Sequence, residues 1–302
     1  MNTQINVNDI IFKNPVIPAS GTFGFGEEIS RYYDLSILGG IVSKGITRYP
    51  RKGNPPARIA ETESGMLNSV GLQNIGIDKF IEREINKFTS YGCASIVNIA
   101  GSSIDEYVEM TKMLNDTECN IIELNLSCPN VKEGCMAFGS SYDGVYKVVS
   151  HVKKISIKPV WVKLTPNVTD IRGPAMAAEK AGADGISLIN TVLGLAIDIN
   201  TKRPVLHNNY GGLSGPAIKP LALRMVNEVY SCVNIPIIGM GGVMNAKDVL
   251  EFIICGASLV QIGTGNLINP FICKEIIDDL KLEMKKINET DIRNLIGSLS
   301  LW

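Results

Sequence analysis

Eight short apolar segments, several rich in β-branched residues, alternate with stretches of helical periodicity, and no other feature of the chain restricts its possible folds so far. The strand-like segments are Pro15–Ser20, Gly40–Lys44, Ser95–Ala100, Ile121–Ser127, Pro159–Thr165, Gly185–Thr191, Pro236–Gly241 and Leu259–Thr264. Between them the pattern predicts helices over Glu27–Leu38, Asp78–Tyr91, Ile104–Leu114, Asp143–Ile155, Thr169–Ala181, Ala217–Cys232 and Ala246–Ile254. Strands separated by helices pair in parallel, and eight such units favour a closed (β/α)8 TIM barrel over an open doubly wound sheet. The N-terminal INVNDIIF, with Asn8 and Asp9 at its centre, reads as a hairpin plugging the barrel bottom. With no linker, low-complexity segment or short repeat, residues 1–302 are read as a single α/β domain.

A hydrophobic fraction of 45% with 20% charged residues suits a globular protein with a sizeable core. The formal charge of −1 and the lack of a long basic block argue against a nucleic-acid partner. No stretch approaches the roughly 18 uninterrupted apolar residues of a membrane span, and no basic leader precedes an apolar run, so a cytoplasmic protein without membrane attachment is expected. The seven cysteines contain no CxxC pair, which signals neither a zinc site nor an iron–sulfur cluster ligated wholly by this chain; no metal is expected.

The chemistry is expected at the C-terminal ends of the strands. In Ile121–Ser127, Ile122, Leu124 and Leu126 face one way while Glu123, Asn125 and Ser127 face the other. Burying that polar face without partners would cost on the order of 1–3 kcal/mol per group, so something polar must meet it. Cys128 leaves this strand on a turn stiffened by Pro129. Lys44 ends the second strand, Asn98 lies in the third, Lys163 in the fifth, and Asn190 and Thr191 end the sixth. A lysine in a strand interior calls for an anionic partner, and two at one mouth imply an anionic ligand. Glycines end the seventh strand (Gly239, Gly241, Gly242) and the eighth (Gly263, Gly265), where barrels of this type bind phosphate. The two longest strand-to-helix connections, Gly45–Gly76 and Val192–Pro216, read as functional loops on the same face, whereas Arg48, Arg51, Lys52 and Arg58 read as solvated surface.

Over essentially its whole length the chain resembles the class 1 dihydroorotate dehydrogenases, FMN-containing (β/α)8 barrels of pyrimidine synthesis. The motifs that carry this are PASGTFG (18–24), SKGIT (43–47), GMLNSVGLQN (65–74), NLSCPN (125–130), WVKLTPN (161–167), INT (189–191), GGLSGPAIKP (211–220), GMGGV (239–243) and QIGTG (261–265). Cysteine in NLSCPN indicates class 1, since the membrane-associated class 2 enzymes have serine there. The segment from Ser43 to Asn74 and IDINTKRPVL (197–206) are more similar to the NAD-linked 1B catalytic subunit than to the fumarate-linked 1A homodimer.

The resemblance implies Cys128 as catalytic base, with substrate contacts from Lys44, Asn68, Ser69, Val70, Gly71, Leu72, Asn125, Asn130, Asn190 and Thr191. It implies one FMN per chain, held by Ser20, Gly21, Lys44, Gly45, Asn98, Asn125, Lys163, Ile189, Gly215, Gly241, Gly242, Gly263 and Thr264. It also implies a partner subunit carrying FAD and a [2Fe–2S] cluster, in a heterotetramer of two catalytic and two electron-transfer chains. The residues agree with that chemistry: a lysine can stabilise the negative charge that hydride uptake places on a flavin, and asparagines offer donor and acceptor to the alternating N–H and C=O groups of a pyrimidine. The implied reaction is oxidation of dihydroorotate to orotate. A thiol of ordinary pKa near 8.5 is mostly protonated at neutral pH, so mild alkalisation should speed turnover. Cys135, off the strand and outside NLSCPN, is the rival thiol.

Other readings fit less well. A tRNA dihydrouridine synthase would need a basic RNA surface and a further helical domain, but only about forty residues follow the eighth strand. A phosphate-binding barrel without flavin leaves Lys163 and the asparagines unexplained, and a non-catalytic FMN scaffold leaves Cys128 unexplained.

Overall fold

The computed structural model describes residues 1–127 and 138–302. Its centre is an eight-stranded parallel sheet made of β3 (Val16–Pro18), β4 (Gly40–Val42), β7 (Ala94–Ile99), β8 (Ile121–Asn125), β9 (Val160–Lys163), β10 (Gly185–Leu188), β15 (Ile237–Met240) and β16 (Leu259–Ile262). All eight predicted strands are present; from β4 round to β16 each pairs with its neighbours in sequence among the eight, and β3 pairs with β16. The remaining gap, between β3 and β4, is spanned by Gly39 N donating to Val16 O at 3.0 Å. A Cβ on Gly39 would lie 2.1 Å from the carbonyl oxygen of Asn14, so closure there depends on a residue without a side chain. The strands are apolar almost throughout because both faces are covered, by the barrel interior on one side and helices on the other.

The helices start where side chains can satisfy their first amides. Ser103 accepts from Glu106 N before Ile104–Asn115, Ser141 from Gly144 N before Tyr142–Lys153, and Asn245 with Asp248 forms a capping box at Ala246–Ile254. Two predicted helices differ. Glu27–Leu38 contains only the 3-10 turns Ile29–Arg31 and Leu35–Ile37, because the Asp34 carboxylate takes the Ser36 N–H and hydroxyl and holds its own backbone extended at ψ 115°. Asp78–Tyr91 is broken at Glu84 into Ile77–Arg83 and Ile85–Thr89. The stretch after β16 contributes a long helix, Ile272–Lys286, whose apolar side joins the main core.

At the barrel bottom the predicted hairpin is formed by β1 (Ile5–Val7) and β2 (Ile10–Phe12), with Asn8 and Asp9 at φ 53° and 62° as a type I′ turn requires. Asn8 is also the plug's anchor: it donates to Asp184 O at 2.8 Å and accepts from the Trp161 indole N–H at 2.8 Å. Phe12 stacks on the fully buried Trp161 with ring centroids 6.1 Å apart. Replacing Trp161 by alanine should therefore lower stability by about 3–5 kcal/mol, measured as a fall in urea midpoint at unchanged slope. A loss below 1 kcal/mol would mean that the plug carries little of the packing.

Across the opposite mouth, the two long connections are not independent loops. They supply β5 (Ile59–Thr62), β6 (Gly65–Asn68), β11 (Val192–Gly194) and β14 (Gly211–Ser214), which pair antiparallel in the order β11, β14, β6, β5. The pairing between β14 and β6 sets Gly212 opposite Asn68 and Leu213 opposite Leu67, and Ala60, Leu67 and Leu206 form a small core beneath it. A two-stranded ribbon, β12 (Ile197–Asp198) with β13 (Arg203–Pro204), extends from this roof. The arginine cluster is also less free than its composition suggests: Arg48 pairs with Asp78 at 2.7 Å and Arg58 donates to Gln73 Oε1 at 2.6 Å, bracing the first connection.

Candidate active site

Between the barrel mouth and the roof lies a cavity of about 720 Å³. The strands supply its floor and walls: Ser20 and Gly21 follow β3, Lys44 and Gly45 follow β4, Asn125 ends β8, Lys163 ends β9, and Ile189, Asn190 and Thr191 follow β10. Asn68 to Leu72 reach the cavity from the roof, and Gly215, Gly241, Gly242, Gly263 and Thr264 close one side. Every predicted site residue among the described ones is thus on the wall, with the exception of Asn98. Cys128 and Asn130, and the rival Cys135, lie outside the described residues.

Asn98 stands behind the wall and is fully buried. Its Nδ2 donates to Glu123 Oε2 at 2.6 Å, and its Oδ1 has no partner and would lie 3.0 Å from a Cβ on Gly45. It backs the Gly45 section of the wall, and its unpartnered Oδ1 is a hydrogen-bond acceptor beside that section. The signal for it, a polar residue in an apolar strand, does not separate wall from backing. Asn74, in the same glycine-rich motif as Asn68, is a turn residue: its oxygen accepts from Thr47 N and Gly76 N, and its amide donates to Thr47 Oγ1 and Leu72 O.

Electrostatically the cavity favours an anion. Lys163 is 5% exposed; burial pushes its ammonium below the ordinary lysine range while the Glu123 carboxylate pulls it back up. Lys44 is also lowered, first by burial and then by the Arg58 charge. Two desolvated ammonium groups on one cavity are stabilised by a bound anion more than by water alone.

The glycines test whether a flavin phosphate fits. Gly215, Gly241 and Gly242 have φ of +101°, +131° and +77°, and a Cβ on Gly242 would lie 2.8 Å from Gly215 O, so protein geometry alone requires glycine at those positions. Gly263 is different. It lies outside the left-handed region, and a Cβ there would meet nothing nearer than Ala19 Cβ at 3.9 Å, yet it lines the cavity. The space a side chain would fill is that of a ligand approaching the backbone, as a phosphate does at this place in a barrel. Thr264 Oγ1 donates to Ser214 Oγ at 2.8 Å and ties this loop to the roof. The residues fit FMN.

Among the residues to which the sequence reading gave no role at the site, Asn167 lines the cavity, as do Thr22, Ser127 and Tyr210, and Glu123 lies behind it. Asn167, inside a quoted motif but given no role, donates to Thr191 O at 3.0 Å and accepts from Leu193 N at 2.9 Å, fixing the turn that carries Asn190 and Thr191. Glu123 is the carboxylate on the polar face of β8, and its partners are now visible: Asn98, Ser187 Oγ at 2.7 Å and Gln261 Nε2 at 3.0 Å. Its need for partners was legible; their identity, from three other strands, was not.

Comparison with known proteins bears on what such a site does. The dihydroorotate dehydrogenase family model matches residues 2–284. A protein of Thermoanaerobacter sp. (strain X514), named dihydroorotate dehydrogenase B (NAD(+)), catalytic subunit, is 54% identical over 301 residues, covering 100% of both chains. Proteins of the same name from Malacoplasma penetrans (strain HF-2) and Geobacillus kaustophilus (strain HTA426) are 52% and 50% identical, covering 97% of this chain and 96% and 94% of their own. A barrel with a lysine- and asparagine-lined mouth, glycines at the phosphate end and relatives aligned from end to end leaves one conclusion: the chain belongs to the dihydroorotate dehydrogenase family.

Proposed function

We propose that this chain is the catalytic subunit of an NAD-linked dihydroorotate dehydrogenase, oxidising (S)-dihydroorotate to orotate in the de novo synthesis of UMP in the cytoplasm. The observation that carries this reading is the cavity itself, where Lys44, Lys163, Asn68, Asn125 and Asn190 converge next to the glycines that follow β15 and β16, Gly241, Gly242 and Gly263. Bound FMN supplies the acceptor for the hydride that leaves C6 of the substrate. The chain's residues do the rest. Asn68, Asn125, Asn130 and Asn190 match their amide donors and acceptors to the N–H and C=O groups of the pyrimidine ring, and the Lys44 ammonium attracts the substrate carboxylate. Cys128 takes the proton from C5 as general base. Lys163, on the cavity wall, would help to hold the cofactor and would supply positive charge next to it. The Thr264–Ser214 hydrogen bond ties the roof sheet to the loop after β16 at the cavity wall.

The test is spectroscopic. The purified chain should be yellow with one releasable FMN, and anaerobic dihydroorotate should bleach it. Cys128→Ala should keep the flavin and slow that bleaching by roughly 10²-fold or more, the scale of a lost general base, while Cys135→Ala stays within a few-fold. If the two variants came out reversed, Cys128 would not be the base. A protein that is colourless and takes up no added FMN would end the reading altogether.

A further inference from the structure

Among the described residues, three charged side chains are buried: Asp248, Glu123 and Lys163. Asp248 is explained outside the barrel, by Lys219 at 2.6 Å and by the amides it caps. The other two lie inside it, opposite in sign. Strand register places them: Asn125 pairs with Lys163 across β8 and β9, and Glu123 is two residues before Asn125, on the same face and one layer deeper. The two do not form a contact ion pair within 4.0 Å, but in a buried, weakly screening interior the Glu123 charge still acts on Lys163. Glu123 is fully buried and accepts from Asn98, Ser187 and Gln261, so donors from β7, β10 and β16 fix its position. Both amides turn their NH2 groups to it, which leaves Asn98 Oδ1 and Gln261 Oε1 buried without partners. Leaving two buried carbonyl oxygens unsatisfied is unfavourable, and a neutral residue at 123 would not require it. The arrangement makes sense if the carboxylate itself is what the barrel must keep.

We propose that Glu123 is a positioning residue for the cavity floor: from one layer below, its carboxylate is the countercharge that lets Lys163 present a buried ammonium to the ligand, and it fixes the Asn98 amide behind the Gly45 wall. No part of the proposed mechanism uses Glu123 directly. The groups that face Lys163 are few: Glu123 below, Lys44 on the same cavity, and the non-titrating Asn125 and Ser187 on the strands to either side. Glu123 raises the proton affinity of Lys163 against the effect of burial, in keeping with this role.

A double-mutant cycle on the full chain tests the pairing. E123Q leaves a buried ammonium alone, K163M leaves a buried carboxylate alone, and E123Q/K163M leaves neither. In urea the double variant should lose less than the product of the single losses, by tenfold or more in the unfolding equilibrium constant. This arm needs no cofactor, so it stands even if the flavin reading fails. The second arm rests on that reading: the midpoint potential of the bound flavin is followed against pH. The alkaline break that marks loss of the Lys163 proton should move down by at least one pH unit in E123Q, return in E123D and be absent in K163M. If E123Q does not fold while the double variant does, the coupling is present in its extreme form. Additive losses within threefold, a break unmoved by E123Q, or a double variant that fails to fold while K163M folds would each overturn the proposal and leave Glu123 a packing residue.

Discussion

The Gly263→Val variant is expected to fold as well as the parent and to lose FMN. The reason is the asymmetry among the cavity glycines. At Gly242 a side chain meets Gly215 O and Lys219 Cβ at 2.8 Å in a left-handed backbone, so substitution there damages the protein before any ligand arrives. At Gly263 the nearest protein atom to a new Cβ is Ala19 Cβ at 3.9 Å, an ordinary contact. What a valine there displaces is the ligand. A phosphate held by backbone N–H groups tolerates little displacement, and a weakening of roughly 10²-fold corresponds to about 2.8 kcal/mol of lost binding. Three measurements decide it together: the visible spectrum of the purified variant, FMN titration followed by flavin fluorescence, and the urea midpoint. A Gly263→Val protein that purifies yellow with stoichiometric flavin would place the phosphate elsewhere. A colourless variant with a collapsed urea midpoint would show that the fold also depends on this glycine.

The difference between those glycines marks how far the sequence could be read. Regular elements were legible where the signal was local. The eight strands showed as short β-branched runs, and the hairpin at Asn8 and Asp9 showed because two adjacent residues that tolerate positive φ demand a tight turn. Glu27–Leu38 misled because its apolar spacing suits a helix, whereas one side chain, Asp34, hydrogen-bonds its own backbone out of it. The roof sheet was hidden for a different reason. Its central pair, β6 with β14, joins residues about 145 positions apart, and no periodicity within either connection records a partner that distant. At the site, residue types on strand ends identified Lys44, Asn125 and Lys163 because a polar group at the mouth of a parallel barrel has few other uses. Asn98 carries the same signal, but whether it faces ligand or Glu123 depends on strand tilt and on the neighbours across the barrel. The role proposed for Cys128 rests on the resemblance of the NLSCPN motif alone.

NAD+ reduction by the isolated chain is expected to be negligible, and to appear only when a second protein is added. Reduced flavin must be reoxidised in every turnover, and neither the sequence motifs nor the described residues offer a second redox site for the purpose. It has no GxGxxG joining a strand to a helix, no CxxC spacing for a cluster, and among the described residues no His, Cys, Asp and Glu grouping that could hold a metal. Its similar proteins are named catalytic subunits of an NAD(+) enzyme, which fits electrons leaving for another chain. The resemblance to the NAD-linked enzymes implies a partner with FAD and a [2Fe–2S] cluster, groups that would supply such an exit. The isolated chain should accordingly reduce an artificial dye with dihydroorotate, and adding the electron-transfer subunit should raise NAD+ reduction from background to a rate comparable with the dye reaction. Steady-state assays with NAD+, fumarate and dye, with and without the partner, separate the cases. Rapid NAD+ reduction by the chain alone would remove the need for a second subunit, and efficient fumarate reduction would make the chain its own complete oxidoreductase.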